Sequence, residues 1–224
     1  MNPQITINTL FALVCALFIG AKSFAEPANL GQLKEEIATY HASGQYSNEF
    51  STVIKEAQAF IDQVATQNET SKTPKKLALV LDIDETSLSN YPLMKENKYC
   101  ATLDQFKQAQ LKADQPALNA TRELYQDALK HHIAVFFITG RTDEIKKATE
   151  KNLKNEGFKQ WTAVYYKPAS YKRSSIIPFK SRVRAIIEQK GYKIVASIGD
   201  QQSDLLGGHA MRTFKLPNPH YYIP

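Results

Sequence analysis

Four short, nearly continuous apolar runs constrain this chain more than anything else in it: Leu77–Leu81 (LALVL), Ile133–Ile138 (IAVFFI), Thr162–Tyr166 (TAVYY) and Tyr192–Ile198 (YKIVASI). A run of that length without polar alternation is the mark of a strand buried on both faces. Helical segments lie between the runs. Thr121–His131 precedes the second run. Asp143–Asn155 follows it, with Thr142 as N-cap and Gly157 as C-cap, and Ser181–Lys190 leads into the fourth and stops at Gly191. Strands alternating with helices imply an α/β fold, a Rossmann-like parallel sheet with helices on both faces. One stretch breaks the rhythm. Leu88–Gln115 is polar, lacks a strand signal and holds the first two strands far apart. It reads as a small, mostly helical cap inserted after the first strand, at about 88–115. Upstream of the sheet, residues 30–67 read as a helix pair broken at Ser43-Gly44. In the second helix Phe50, Ile54, Ala57, Ile61 and Val64 recur at helical spacing. The expected organisation is therefore helices and linker over 26–76 and a core over 77–224.

Residues 1–25 read as a secretory signal rather than as part of the fold. Thr9–Gly20 (TLFALVCALFIG) is apolar but short for a membrane span, and Ser23-Phe24-Ala25 places small residues where a signal peptidase reads, with cleavage after Ala25. The pattern departs in one respect, since residues 1–8 hold no Lys or Arg. Cys15 follows Ala12-Leu13-Val14 and lacks the small residue expected just before a lipidated cysteine. The expectation is a periplasmic or secreted protein with no stable membrane span after cleavage. Cys100 would then be the one cysteine left, so the fold cannot rely on an internal disulfide. The formal net charge of +6 comes from 28 Lys and Arg against 22 Asp and Glu. A mild, scattered excess of that kind suits small anionic ligands and carries no signature of a nucleic-acid polymer as partner.

Ligands of open parallel sheets bind beyond the carboxyl ends of the strands, and the polar punctuation of the sequence falls there. The first strand runs into Asp82-Ile83-Asp84-Glu85-Thr86, the second into Thr139-Gly140-Arg141, and the fourth into Gly199-Asp200-Gln201-Gln202-Ser203-Asp204. Lys180 opens the helix before the fourth strand. Asp82, Asp84 and Asp200 would converge on one edge with Asp204 close behind. Like charges at that range raise one another's pKa or require a cation. Oxygen ligands beside a phosphate favour Mg²⁺. Thr139 and Lys180 offer a hydroxyl and a fixed positive charge to a phosphoryl group. An aspartate can attack phosphorus, and a second carboxyl two residues on can protonate the leaving oxygen and then activate water. Asp-x-Asp alone is more often a turn or a helix cap than a catalytic pair, and Gly-Asp is a common turn. The case rests on all four elements, in order, each at a strand end or helix start.

Those elements resemble the four motifs of the haloacid dehalogenase superfamily. The match is closer to its secreted acid phosphatases, a class B-like group that includes bacterial lipoprotein nucleotidases and plant acid phosphatases with their vegetative storage relatives. The words that carry it are Leu81-Asp-Ile-Asp-Glu-Thr86, Ile138-Thr-Gly-Arg141, Phe179-Lys-Ser-x-x-Arg184, Ile198-Gly-Asp-Gln-Gln-Ser-Asp-Leu205 and Arg212-Thr-Phe-Lys-Leu-Pro-Asn-Pro219. The lysine word is the weakest, because Lys167 and Lys172 compete with Lys180. The resemblance implies an exported, Mg²⁺-dependent acid phosphatase acting on small phosphomonoesters, nucleoside monophosphates among them. It implies Asp82 as nucleophile and metal ligand, Asp84 as acid/base with its carbonyl on the metal, Asp200 as a side-chain ligand and Asp204 as a ligand behind it or through water. Thr139, Gly140 and Lys180 would hold the phosphate, and relatives suggest a homodimer.

Two other enzymatic or binding readings stay open: phosphotransfer to an alcohol through the same aspartyl-phosphate, and a non-catalytic storage or phosphate-binding protein, against which intact Asp82 and Asp84 speak. His131-His132 reads as a surface or capping pair. Tyr91, Tyr99 and Phe106 lie in the inserted segment, where they either pack the insertion or stack on a substrate. Activity is expected to peak below neutral pH, because Asp84 must hold a proton when the leaving group departs. That requires surroundings which raise its pKa above the ordinary aspartate range.

Overall fold

The computed structural model describes residues 26–223; the expected signal segment and Cys15 lie outside them. Five parallel strands form one sheet in the order β3-β2-β1-β4-β5. They are β1 (Lys76–Leu81), β2 (Ala134–Thr142), β3 (Ala163–Lys167), β4 (Tyr192–Gly199) and β5 (Arg212–Lys215). The helices are α1 (Leu30–Ala42), α2 (Gln45–Glu69), α3 (Tyr91–Glu96), α4 (Leu103–Lys112), α5 (Asn119–Lys130), α6 (Lys146–Asn155), α7 (Ile177–Gln189) and α8 (Gln202–Leu205). From Lys34 onward the chain is one compact unit. Among the described residues no helix is long and apolar enough to cross a membrane.

The continuous apolar runs become strands because both faces of the sheet are covered. In β1, Leu77, Leu79 and Leu81 enter one core with Val135 and Phe137 of β2 and the apolar stripe of α2, while Ala78 and Val80 enter a second core with Phe136, Ile138, Ile194 and Val183 and Ile187 of α7. Successive side chains of a strand point to opposite faces, so one sequence run feeds both layers. The α2 stripe is seated as its spacing predicts, with Phe50, Ile54, Ala57, Ile61 and Val64 all buried. Gly157 and Gly191 stand just past α6 and α7 with φ of 96° and 86°, the left-handed region that ends a helix.

Three features differ from the sequence reading. β5 has no apolar run: only Phe214 of its four residues is buried, and pairing with β4 makes it a strand. β2 continues past Ile138 to Thr142 through a register shift between Thr139 and Thr142. α7 starts at Ile177, so Lys180 lies within its first turn rather than at its start.

The strand order fixes the site. β1 lies between β2 and β4, and chain progression reverses direction there, the crevice where open α/β sheets bind ligands. The residues after β1 and β4 and those at the end of β2 are therefore neighbours in space, although over a hundred residues separate Asp82 from Asp200 in sequence.

Candidate active site

Asp82 follows β1 directly, its backbone N–H donating to Ile198 O at 3.0 Å, which ties the turn to β4. The turn then closes on itself: the N–H groups of Ser87 and Leu88 both donate to Ile83 O at 2.8 Å, and Ser87 Oγ donates to Asp82 O at 2.7 Å. This hydrogen-bonded loop buries Asp82, Ile83, Glu85 and Thr86 and leaves Asp84 half-buried. On the neighbouring strand Asp200 is buried, its Oδ1 accepting from Thr86 Oγ1 at 3.3 Å. Its Oδ2 accepts from Gln201 Nε2 at 2.6 Å and Asn218 Nδ2 at 2.7 Å. Asp204 caps the short helix α8 by accepting from Gln201 N at 3.0 Å. A methyl on Gly199 would collide with the Asp204 carboxyl, so that position needs the absence of a side chain.

One oxygen each from Asp82, Asp200 and Asp204 fall within 4.8 Å of one another. Lys180 enters this cluster from α7, with Nζ 3.0 Å from Asp82 Oδ1 and paired with Asp204. One ammonium faces three buried carboxylates. Burial, then the charge of Asp204, drives the Asp82 carboxyl well above its ordinary range against the pull of Lys180. Burial and Asp204 push Asp200 up to about 6. Burial disfavours the Lys180 ammonium, yet Asp204 and Asp82 outweigh it and hold it protonated. Asp82 Oδ1 is buried without an aligned hydrogen bond. An all-oxygen cluster with excess negative charge and an unsatisfied oxygen fits a hard divalent cation.

Asp84 is held differently. Arg141 grips it as a fork, Nε to Oδ2 at 3.0 Å and Nη2 to Oδ1 at 2.8 Å, and Asn90 Nδ2 donates to Oδ1 at 2.8 Å. Burial raises this carboxyl, but the Arg141 charge and the donors Arg141, Asn90 and Gln110 outweigh it, so the Asp84 pKa lies below its ordinary value. This is opposite to the raised value that the general-acid role requires, and the cause is a partner 57 residues away in sequence. Thr139 is buried, and its Oγ1 accepts from Arg141 N at 3.0 Å. Asp84, Gly140 and Lys180 line a cleft of about 550 Å³.

All seven residues singled out in the sequence lie at this one end of the sheet. The reading missed those that hold them. Arg141 stood in the same word as Thr139 but was given no role. Glu85 and Asn90 carry no signal beyond lying near Asp84 in sequence, and Gln110, 26 residues on, carries none. The C-terminal segment enters the sequence reading only as the word Arg212–Pro219, which assigns no role to Asn218 and stops short of Tyr221. Asn218 reaches Asp200, Tyr221 hydroxyl donates to Glu85, and Ile223 N donates to Gln201 Oε1 at 3.0 Å. Glu85 is fully buried at φ 49°, and burial followed by the Asp84 and Asp200 charges pushes its carboxyl up to about 8. Of the three aromatics in the inserted segment, Phe106 lines the cleft and meets Tyr221 edge-on at 5.6 Å between centroids. Tyr91 instead stacks on His41 at 3.8 Å and Tyr99 on His220 at 6.0 Å. His131 faces Asp62, Glu69 and Asp127 at the surface, far from this chemistry in role.

A family model described as HAD superfamily, subfamily IIIB (Acid phosphatase), matches residues 20–224. Acid phosphatase 1 of Solanum lycopersicum is 37% identical over 150 residues, 64% of this chain and 58% of that protein, so the match spans little over half of the tomato relative. Vegetative storage protein 1 of Arabidopsis thaliana is 33% identical over 202 residues, 88% of this chain and 72% of that one. Among solved structures, the class C acid phosphatase from Bacillus anthracis superposes with a TM-score of 0.66 at 20% identity, covering 85% of this chain and 87% of the other, a likeness of fold. This protein belongs to the acid phosphatases of haloacid-dehalogenase subfamily IIIB.

Proposed function

We propose that the protein is an exported, Mg²⁺-dependent phosphatase that hydrolyses small phosphomonoesters through an aspartyl-phosphate on Asp82. The observation that carries this reading is the clustering of buried Asp82, Asp200 and Asp204 around a single lysine, Lys180, at the carboxyl end of the sheet. Asp82, Asp200 and Asp204 would hold the cation, with the Asp84 carbonyl beside them. Mg²⁺, when bound, offsets the negative charge of the cluster and of the phosphoryl oxygens, so that a carboxylate can approach phosphorus.

In this reading Thr139, Gly140 and Lys180 hold the phosphoryl oxygens and fix the ester in line with the Asp82 carboxylate. An oxygen of Asp82 bonds to phosphorus as the ester P–O bond breaks. The leaving alkoxide takes a proton from Asp84. The same carboxylate, now ionised, then removes a proton from water, which displaces Asp82 and releases phosphate. Asp84 can act as an acid only if Arg141 loosens its grip. An arriving phosphate ester is a competing anion for the guanidinium and supplies that release. The helices α3 and α4 serve as the cap: Leu103, Phe106 and Gln110 of α4 line the cleft mouth, where an aromatic leaving group such as a nucleoside finds apolar contact. Export rests on the apolar run Thr9–Gly20 and the small residues before position 26.

Relatives named as storage proteins and as an acid phosphatase are both similar to this chain. Intact Asp82 and Asp84 favour catalysis. The test is hydrolysis of p-nitrophenyl phosphate by the purified protein with and without Mg²⁺, beside Asp82→Asn. Turnover that requires the metal and falls by roughly a thousandfold or more in the variant is expected for loss of a covalent nucleophile. Turnover that survives the substitution would mean another nucleophile, and none from the wild type would favour a binding role.

A further inference from the structure

Five basic side chains, Lys107, Arg141, Lys167, Arg173 and Lys180, line the cleft against one acidic side chain, Asp84. Three of the five are committed. Arg141 grips Asp84, Lys180 pairs with Asp82 and Asp204, and Lys107 pairs with Glu144 at 3.0 Å. Lys167 and Arg173 are not: among the described residues neither forms an ion pair or a side-chain hydrogen bond. Their positions are set by the fold. Lys167 ends β3 and pairs in register with Thr142, two residues past Gly140. Arg173 stands in the loop from β3 to α7. That loop is pinned by Tyr171, whose hydroxyl donates to Ser175 O at 2.8 Å and whose ring meets Phe179 edge-on at 6.0 Å. It is also pressed against the phosphate-holding turn, since Ile176 Cδ1 lies 3.3 Å from where a Cβ on Gly140 would sit.

In the proposed reading the transferred phosphoryl group is served by Lys180 and the cation, so two further basic side chains lining the same cleft are more than it needs. Surface lysines and arginines are ordinarily solvated and paired loosely or not at all. Lys167, half-buried, and Arg173, exposed, line the same cleft as the apolar side chains of Phe106 and Ile223. A leaving alcohol seated there meets uncommitted positive charge as well as apolar contact.

We propose that Lys167 and Arg173 form a second anion subsite, which reads a phosphate or carboxylate carried by the leaving alcohol, and that doubly anionic phosphomonoesters are the preferred substrates. The proposal rests on the phosphatase reading and names its substrate class. Arg173 supplies a planar fork suited to either oxyanion, and Lys167 supplies a point charge.

The experiment compares kcat/KM within two substrate pairs that differ by one anion: fructose 1,6-bisphosphate against fructose 6-phosphate, and 3-phosphoglycerate against glycerol 3-phosphate. p-Nitrophenyl phosphate is the reference. Two partly exposed charge contacts together are worth about tenfold. The wild type is expected to favour the doubly anionic member of at least one pair by about that factor, and the pair that responds tells a phosphate from a carboxylate. In Lys167→Gln/Arg173→Gln the preference should vanish through KM while p-nitrophenyl phosphate turnover stays within about twofold. Arg173→Glu, a substitution on an exposed loop, should reverse the preference. Equal kcat/KM within both pairs, or equal losses on all substrates in the double variant, overturns the subsite while the phosphatase reading stands. No wild-type turnover of p-nitrophenyl phosphate overturns that reading and the subsite with it.

Discussion

Asp84 has two demands placed on it that conflict. In the proposed role of general acid it must carry a proton, yet Arg141 occupies both of its oxygens and favours the ionised form. Replacing Arg141 with Gln removes the opposing charge and leaves burial, which raises a carboxyl pKa. An acid works below its pKa, so the descending alkaline limb of kcat/KM, which reports the free enzyme, should move to higher pH in Arg141→Gln. The kcat at the optimum should fall roughly 10- to 100-fold through lost positioning. A pH–rate profile with an unmoved alkaline limb would remove Asp84 from the acid role. The seven candidate residues were legible in the sequence because each follows a buried apolar run or lies in the first turn of a helix. Arg141 gripping Asp84, Asn218 behind Asp200 and Tyr221 on Glu85 were not. These pairs join residues 57, 18 and 136 apart in sequence, and no local pattern encodes which non-neighbouring donor a carboxylate will find.

Helix α2 contributes nothing to the chemistry and much to the core beneath it. Ile61 is buried among the side chains that β1 and β2 send to the same face. Ile61→Ala should cost about 2–5 kcal/mol by lost burial and the cavity left behind. Urea unfolding would show this as a lower midpoint with an unchanged slope. KM for p-nitrophenyl phosphate should stay at the wild-type value, because no α2 side chain lines the cleft. A neutral result would mean that α2 packs elsewhere. The stripe of α2 and the four apolar strands were readable because burial repeats along each element with its own period. β5 was unreadable for the converse reason: one buried residue in four sets no period, and its strand character comes from pairing with β4.

The molecule as a whole concentrates buried acid at one end, and its stability should follow. Glu85 rises from 4.5 to about 8 and Asp200 from 3.8 to about 6. Both groups bind protons more tightly when folded. Their contribution is therefore fully present below the unfolded values and is lost as pH rises through about 6 and then about 8. In EDTA the thermal midpoint should fall between pH 5 and pH 8. Glu85→Gln should flatten that fall, and Mg²⁺ should restore stability at pH 8 by binding the folded state. A midpoint in EDTA that climbs with pH would contradict this picture of the site.

The sequence by itself determined the class of fold and which residues stand at the carboxyl edge of the sheet, because buried strands need apolar runs and their ends need polar punctuation. Only the tertiary structure decided how those residues are held. Strand order made neighbours of Asp82, Thr139 and Asp200, the C-terminal segment came back to bind Asp200 and Glu85, and Arg141 lowered the Asp84 pKa, which the proposed acid role needs high. Charge interactions depend on distance and burial in space, and neither is a property of position along a chain.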